Sequence, residues 1–130
     1  MPQFQKLTPN LLVANVESSV AFYTDVLGFE RGMFVPDVAP YAFASVVSGS
    51  VEIFFNDAAV AVQEYPLLAG RPIGASGTLF IEVKDLESYY AQLQGKVNVV
   101  IPFVTQPYGM KEFAITDPDG YLITFAERAA

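Results

Sequence analysis

The chain repeats itself. Displaced by 70 residues, "TPNLLVANVESSVAFY" from Thr8 lies over "TLFIEVKDLESYYAQL" from Thr78. Thr8 meets Thr78, Val13 meets Val83, Glu17-Ser18 meets Glu87-Ser88 and Ala21 meets Ala91, five identities in sixteen positions. Asn15 meets Asp85, so a cap residue recurs at the same place. A supersecondary unit written twice in 130 residues implies a fold built from two similar halves.

Each copy reads as strand, cap, helix. In the first, Leu11 and Val13 alternate with Leu12 and Ala14, the period of a strand. Asn15 is a good N-cap, and Val16, Val20, Tyr23 and Leu27 follow at helical spacing until Gly28 stops the helix. In the second, Asp85 is the expected cap. Leu86, Tyr90 and Leu93 form the stripe, with Tyr89 beside them, and Gly95 ends it. Short alternating strands follow each helix, near 29–35, 41–47 and 51–55, then near 97–103, 111–116 and 121–126. The hairpin turns are "SGS" at 48–50 and "DPDG" at 117–120. Each half is therefore βαβββ. The expected organisation is one domain over 1–130, with modules at 5–56 and 77–127 and a linker at 57–76 whose middle forms a helical turn. The fold class is α+β. Two such units side by side can curl their sheets into a cup, with the helices on the convex face.

Composition excludes several chemistries. There is no Cys and no His, so disulfides, thiolate sites, imidazole ligands and His-based triads are ruled out. Fourteen acidic residues against seven basic ones give a net charge of −7, which disfavours nucleic acid as a partner. No apolar run reaches the roughly 18–20 residues of a membrane helix. "MPQFQKLTPN" lacks a basic-then-apolar leader, so a cytoplasmic protein without a membrane partner is expected. "SGS" and "GASG" lack the strand-to-helix setting and the Lys of a phosphate loop.

At "LTPNLLVANVESSVAFYTDVLGFE" the chain resembles the first module of the glyoxalase / bleomycin-resistance / dioxygenase superfamily, the vicinal oxygen chelate proteins. The "FY-x-D-x-LGF" stretch, Phe22 to Phe29, is the most recognisable part. "YGMKEFAITDPDGYLITFAE", 108 to 127, resembles the closing hairpin, and its "YG-x-(K/R)-EF" form is similar to bleomycin-resistance-like members. The resemblance covers nearly the whole chain apart from the linker. It implies the paired-module fold, a small-molecule site in the cup and a homodimer. It does not settle function, because the superfamily hosts isomerases, dioxygenases and plain drug binders.

The superfamily's metalloenzymes resemble one another in taking one ligand from each of four strands, usually two His and two Glu. Those positions fall on Thr8, Thr78, Thr124 and either Glu52 or, if "VEIFF" is aligned by the repeat, Phe54. At most one of the four carries a good ligand, a poor set for Zn²⁺, Ni²⁺ or Fe²⁺ and too few carboxylates for Mg²⁺ or Ca²⁺. No metal and no cofactor are expected. The three Thr residues are either ordinary strand residues or hydrogen-bonding groups on the cup floor.

Alternation sets the expected lining. If Leu11 and Val13 pack on the helix, then Thr8, Asn10 and Leu12 face the cup, as do Thr78, Phe80 and Glu82. Glu52 shares a face with Phe54, and Leu122 with Thr124. Tyr108, before Gly109, is placed to close on a flat ligand; Tyr41 and Phe103 are lesser candidates for the rim. Lys111-Glu112 reads as a surface pair. Glu52 has three readings: a general base on an acidic C–H, a contact for a basic group on a ligand, or a solvated carboxylate at the rim. The first functional reading is a metal-free binder of an aromatic or amphipathic small molecule. The alternatives are a metal-independent lyase or isomerase using Glu52, or a lactoylglutathione lyase or dioxygenase with an atypical site.

Overall fold

The computed structural model describes residues 2–74 and 76–129. The chain divides into two compact units, Met1–Arg71 and Pro72–Ala130, each built on its own four-stranded sheet.

The first unit opens with β1 (Asn10–Val13) and α1 (Val16–Ala21), which runs into a π-helical turn at Phe22–Val26. The Asn15 side chain accepts the Ser18 N–H at 2.8 Å and starts the helix. The helix expected to run unbroken to Leu27 instead widens at Phe22. Leu27 N–H donates to Phe22 O at 3.1 Å, a five-residue spacing, and the Thr24 hydroxyl donates to Val20 O at 2.8 Å. The apolar stripe survives the change, because Val16, Val20, Tyr23 and Leu27 are all buried. Then come β2 (Glu30–Val35), β3 (Phe43–Ser48) and β4 (Val51–Asp57). The sheet order is β1-β4-β3-β2, with β1 parallel to β4 and the other pairs antiparallel. Tyr23 packs on Phe55 at 4.8 Å between ring centres and on Phe29 at 5.9 Å, so Ile53 and Phe55 face α1. The stretch expected as linker holds more structure than one turn. Asp57 accepts the Ala59 and Val60 N–H groups and caps α2 (Ala58–Glu64), and a 3₁₀ turn follows at Pro66–Leu68.

The second unit repeats the plan: β5 (Thr78–Glu82), α3 (Leu86–Leu93), β6 (Asn98–Thr105), β7 (Met110–Thr116) and β8 (Leu122–Arg128), in the order β5-β8-β7-β6. Tyr89 and Tyr90 of α3 meet Phe113, and Tyr89 meets Phe125, so those phenylalanines face the helix.

Asp85 is not the cap the sequence suggests. Its backbone is left-handed (φ 57°, ψ 52°) and its side chain makes no capping bond. The helix start is satisfied from across the sheet, where the Glu127 carboxylate of β8 accepts the Asp85 and Leu86 N–H groups, each at 3.0 Å. Among the described residues, no helix is long and apolar enough to cross a membrane.

Candidate functional site

Strand register decides which residues share a face. In the first sheet, Asn10 is partnered with Phe54 and Leu12 with Asn56, while Ser45 and Val47 lie opposite Phe54 and Glu52. These side chains stand on the face opposite α1. Thr8 precedes β1 and is half-buried. The Asn10 side chain accepts a hydrogen bond from the Asn56 amide, and Phe54 packs edge-on against Phe43 at 5.0 Å. Glu52 is half-buried and has a partner that the sequence did not disclose: Lys6 Nζ lies 2.5 Å from its carboxylate. Tyr41 stands elsewhere. It packs on Phe34 at 4.7 Å, and its N–H donates to Glu17, on the α1 side of the sheet.

In the second sheet, the face opposite α3 reads as three rows. Glu82, Ala126, Glu112 and Val104 form one; Phe80, Thr124, Ala114 and Ile101 the next; Thr78, Leu122, Thr116 and Asn98 the third. Thr78 and Phe80 are exposed, Phe80 at 56%, and Thr124 is half-buried. Tyr108, 65% exposed in the turn before β7, donates its hydroxyl to Glu112 Oε2 at 2.7 Å. That carboxylate holds the Tyr108 phenol above its usual range, chiefly through the hydrogen bond, with desolvation and the carboxylate charge acting in the same direction. Phe103 packs on Tyr90 at 5.6 Å and so belongs to the helix side.

The expected Lys111-Glu112 surface pair does not exist. Neighbours along a strand point to opposite faces, so Lys111 turns to Glu127 (3.7 Å) on the helix side. Glu112 is buried on the opposite face, 7% exposed. Its signal was present in the alternation: Phe113 and Ile115 are apolar core positions, which sends Glu112 and Ala114 to the other side.

A cleft of about 640 Å³ lies in the first unit, lined by Glu17, Thr24, Arg31, Phe34 and Tyr41 among others. It is on the α1 side, and apart from Tyr41 none of the candidate ligand-binding residues lines it. Arg31 lies over the Phe34 ring at 4.2 Å, so part of its apolar wall is already engaged.

Residues 5–125 match the description Glyoxalase/Bleomycin resistance protein/Dioxygenase superfamily. The chain belongs to that superfamily. No curated protein matches it in sequence. Among solved structures it is similar to the bleomycin-binding protein from bleomycin-producing Streptomyces verticillus complexed with copper(II)-bleomycin. That pair shares 25% identity over 100% of this chain and 99% of that one, with a TM-score of 0.65. It is also similar to TnmS3, an antibiotic binding protein from Streptomyces sp. CB03234 (20% identity, 99% of each chain, TM-score 0.77). A glyoxalase/bleomycin resistance protein/dioxygenase from Nocardioides shares 21% identity over 99% of this chain and 86% of that chain, with a TM-score of 0.80.

Register also shows which residue of β4 is the repeat counterpart of Thr124. Asn10 is paired with Phe54, and Phe80, 70 residues on, is paired with Thr124. Phe54 is therefore the counterpart of Thr124, and Glu52 that of Leu122. Aligned by the repeat, the four positions that resemble the superfamily's metal ligands carry Thr8, Phe54, Thr78 and Thr124: three hydroxyls and a phenyl ring, which do not fit a Zn²⁺, Ni²⁺ or Fe²⁺ ion. Among the described residues, no three His, Cys, Asp or Glu side chains converge as a metal site.

Proposed function

We propose that this protein binds a small aromatic or amphipathic molecule without a metal, on the sheet faces opposite the helices. The observation that carries the reading is the exposed apolar ground of the second sheet: Phe80 on edge strand β5, Ile101 and Val104 on the opposite edge strand β6, and Tyr108 in the turn before β7. Large apolar groups exposed on a regular strand surface lose nothing by meeting a flat ligand and gain about 25 cal/mol per Å² covered. Thr78 and Thr124 supply hydroxyls on the same face, a few polar groups on an apolar ground. On the first sheet, Thr8, Asn10, Leu12, Glu52 and Phe54 are the ligand-facing residues. The likeness to the bleomycin-binding protein supports binding over turnover. The Lys6 ion pair favours a holding role for Glu52 over the role of base.

The test is calorimetric titration of 2-naphthalenemethanol, a neutral planar probe, into chelator-stripped protein. Saturable binding that is unchanged by added Zn²⁺ is expected, and Phe80→Ala weakens it about tenfold, the loss of one aromatic contact. Binding that appears only with metal overturns the metal-free reading. In the same preparations, a metal site at a hundredfold excess over its Kd would add about 2.7 kcal/mol of stability, and none is expected.

We also infer a homodimer. The edge strands β2 and β6 expose Met33, Val35, Val100, Ile101 and Val104, an arrangement that a second copy covers well. Light scattering should give twice the 14.2 kDa chain mass; the single-chain mass sinks this inference.

A further inference from the structure

Building on that reading, we propose that Glu112 and Tyr108 form the receptor for a positively charged nitrogen on the ligand. Glu112 sits on an inner strand of the second sheet, with Ala126 opposite it on β8 and Val104 opposite it on β6. Its neighbours in the row are thus a methyl and an isopropyl group. It is 7% exposed, and the one hydrogen bond of its carboxylate among the described residues comes from Tyr108 to Oε2. Oε1 accepts none. Among the described residues no enclosed side-chain oxygen lacks a partner, so Oε1 remains within reach from outside.

No cation of the chain neutralises this carboxylate among the described residues. The ion pairs are Lys6 with Glu52 and Lys111 with Glu127. Lys111 is adjacent in sequence but turned to the helix side. Arg128 shares the face one residue pair away, opposite Met110, and is exposed without an ion pair to Glu112. Glu82, at the end of the same row, adds negative charge. A largely buried carboxylate with no countercharge from its own chain is a favourable partner for an incoming cation. The charge is satisfied when a cation arrives from outside the chain.

The surroundings define what that cation is attached to. Phe80 and Ile101 lie in the next row, and the exposed Tyr108 ring stands beside the carboxylate. An ammonium or amidinium group on a flat apolar body places its N–H on Oε1, its charge beside the Tyr108 ring and its body across the neighbouring row. An aromatic sulfonate or carboxylate is repelled.

The experiment compares two probes of one shape, 2-naphthylmethylamine, protonated at neutral pH, and 2-naphthalenemethanol, by calorimetry at low salt. The wild-type protein is expected to bind the ammonium about tenfold more tightly than the alcohol, the range of a charge-assisted hydrogen bond. Glu112→Gln should abolish that preference. If Glu112→Gln does not fold, Tyr108→Ala at an exposed position carries the test, with about a fivefold loss on the ammonium expected. Equal affinity of the two probes for the wild type, or an undiminished preference in either variant, overturns the receptor and leaves the aromatic-binding reading intact. Failure of both probes to bind overturns both.

Discussion

Glu127 shows how one side chain does two jobs that its sequence position hides. Its carboxylate takes the two N–H groups at the start of α3 and pairs with Lys111. The Leu86 N–H, and then the Asp85 N–H, hold it below the usual carboxylate range, with burial acting against them. A carboxylate lowered in the folded state contributes stability above its unfolded value, about 4.3, and that contribution fades as pH falls through the lowered folded value. Glu127→Gln should therefore lower Tm at neutral pH, and the gap to the wild type should close on acidification below about pH 4. A gap that is constant with pH contradicts the assignment. Asp85 was the legible cap residue, but its left-handed backbone turns its side chain away. The helix start is satisfied instead by Glu127, 42 residues away in sequence, a partner that a cap motif does not encode. Glu112 is hidden for the opposite reason: the alternation places it on the face opposite α3, but the adjacent Lys111 suggests a surface pair.

At the scale of elements, the repeat and the alternation carried most of the architecture. Every expected strand has a counterpart in the structure, displaced by at most a few residues at its ends. What the pattern did not show was local bonding: the π turn after α1, and the capped helix inside the stretch read as linker. Both depend on which carbonyl or carboxylate is within reach, not on apolar period. Glycines mark where strands approach closely. A Cβ at Gly32 would run into the Ser45 hydroxyl, which accepts the Met33 N–H at 2.8 Å where the β2–β3 register shifts. Gly32→Ala should cost about 1–3 kcal/mol by chemical denaturation, since the strand pair must move. At Gly28 a Cβ meets nothing within 4 Å, but φ is +93°, so Gly28→Ala costs about 1–2 kcal/mol through backbone strain alone. A Gly32→Ala protein as stable as the wild type would show that the bulge is not held by Ser45. Core truncation belongs to the same scale. Phe113 is buried among Tyr89, Tyr90 and Phe125, and Phe113→Ala should cost about 3–5 kcal/mol.

At the scale of the molecule, the superfamily's sheet framework persists while three of the positions that resemble its metal ligands carry hydroxyls and the fourth a phenyl ring. The resemblance made that substitution visible in the sequence, except at β4, where the sequence offered both Glu52 and Phe54 and strand pairing makes Phe54 the repeat counterpart of Thr124. A framework without donors still offers a patterned apolar surface, and on the second sheet that surface surrounds a buried carboxylate. The most direct test of the account is the mapping of amide chemical shifts during titration with 2-naphthalenemethanol. The account predicts saturable changes at Phe80, Glu112, Thr124 and Tyr108, without added metal. Changes confined to Glu17, Thr24, Arg31 and Phe34, in the cleft on the α1 side, would contradict it.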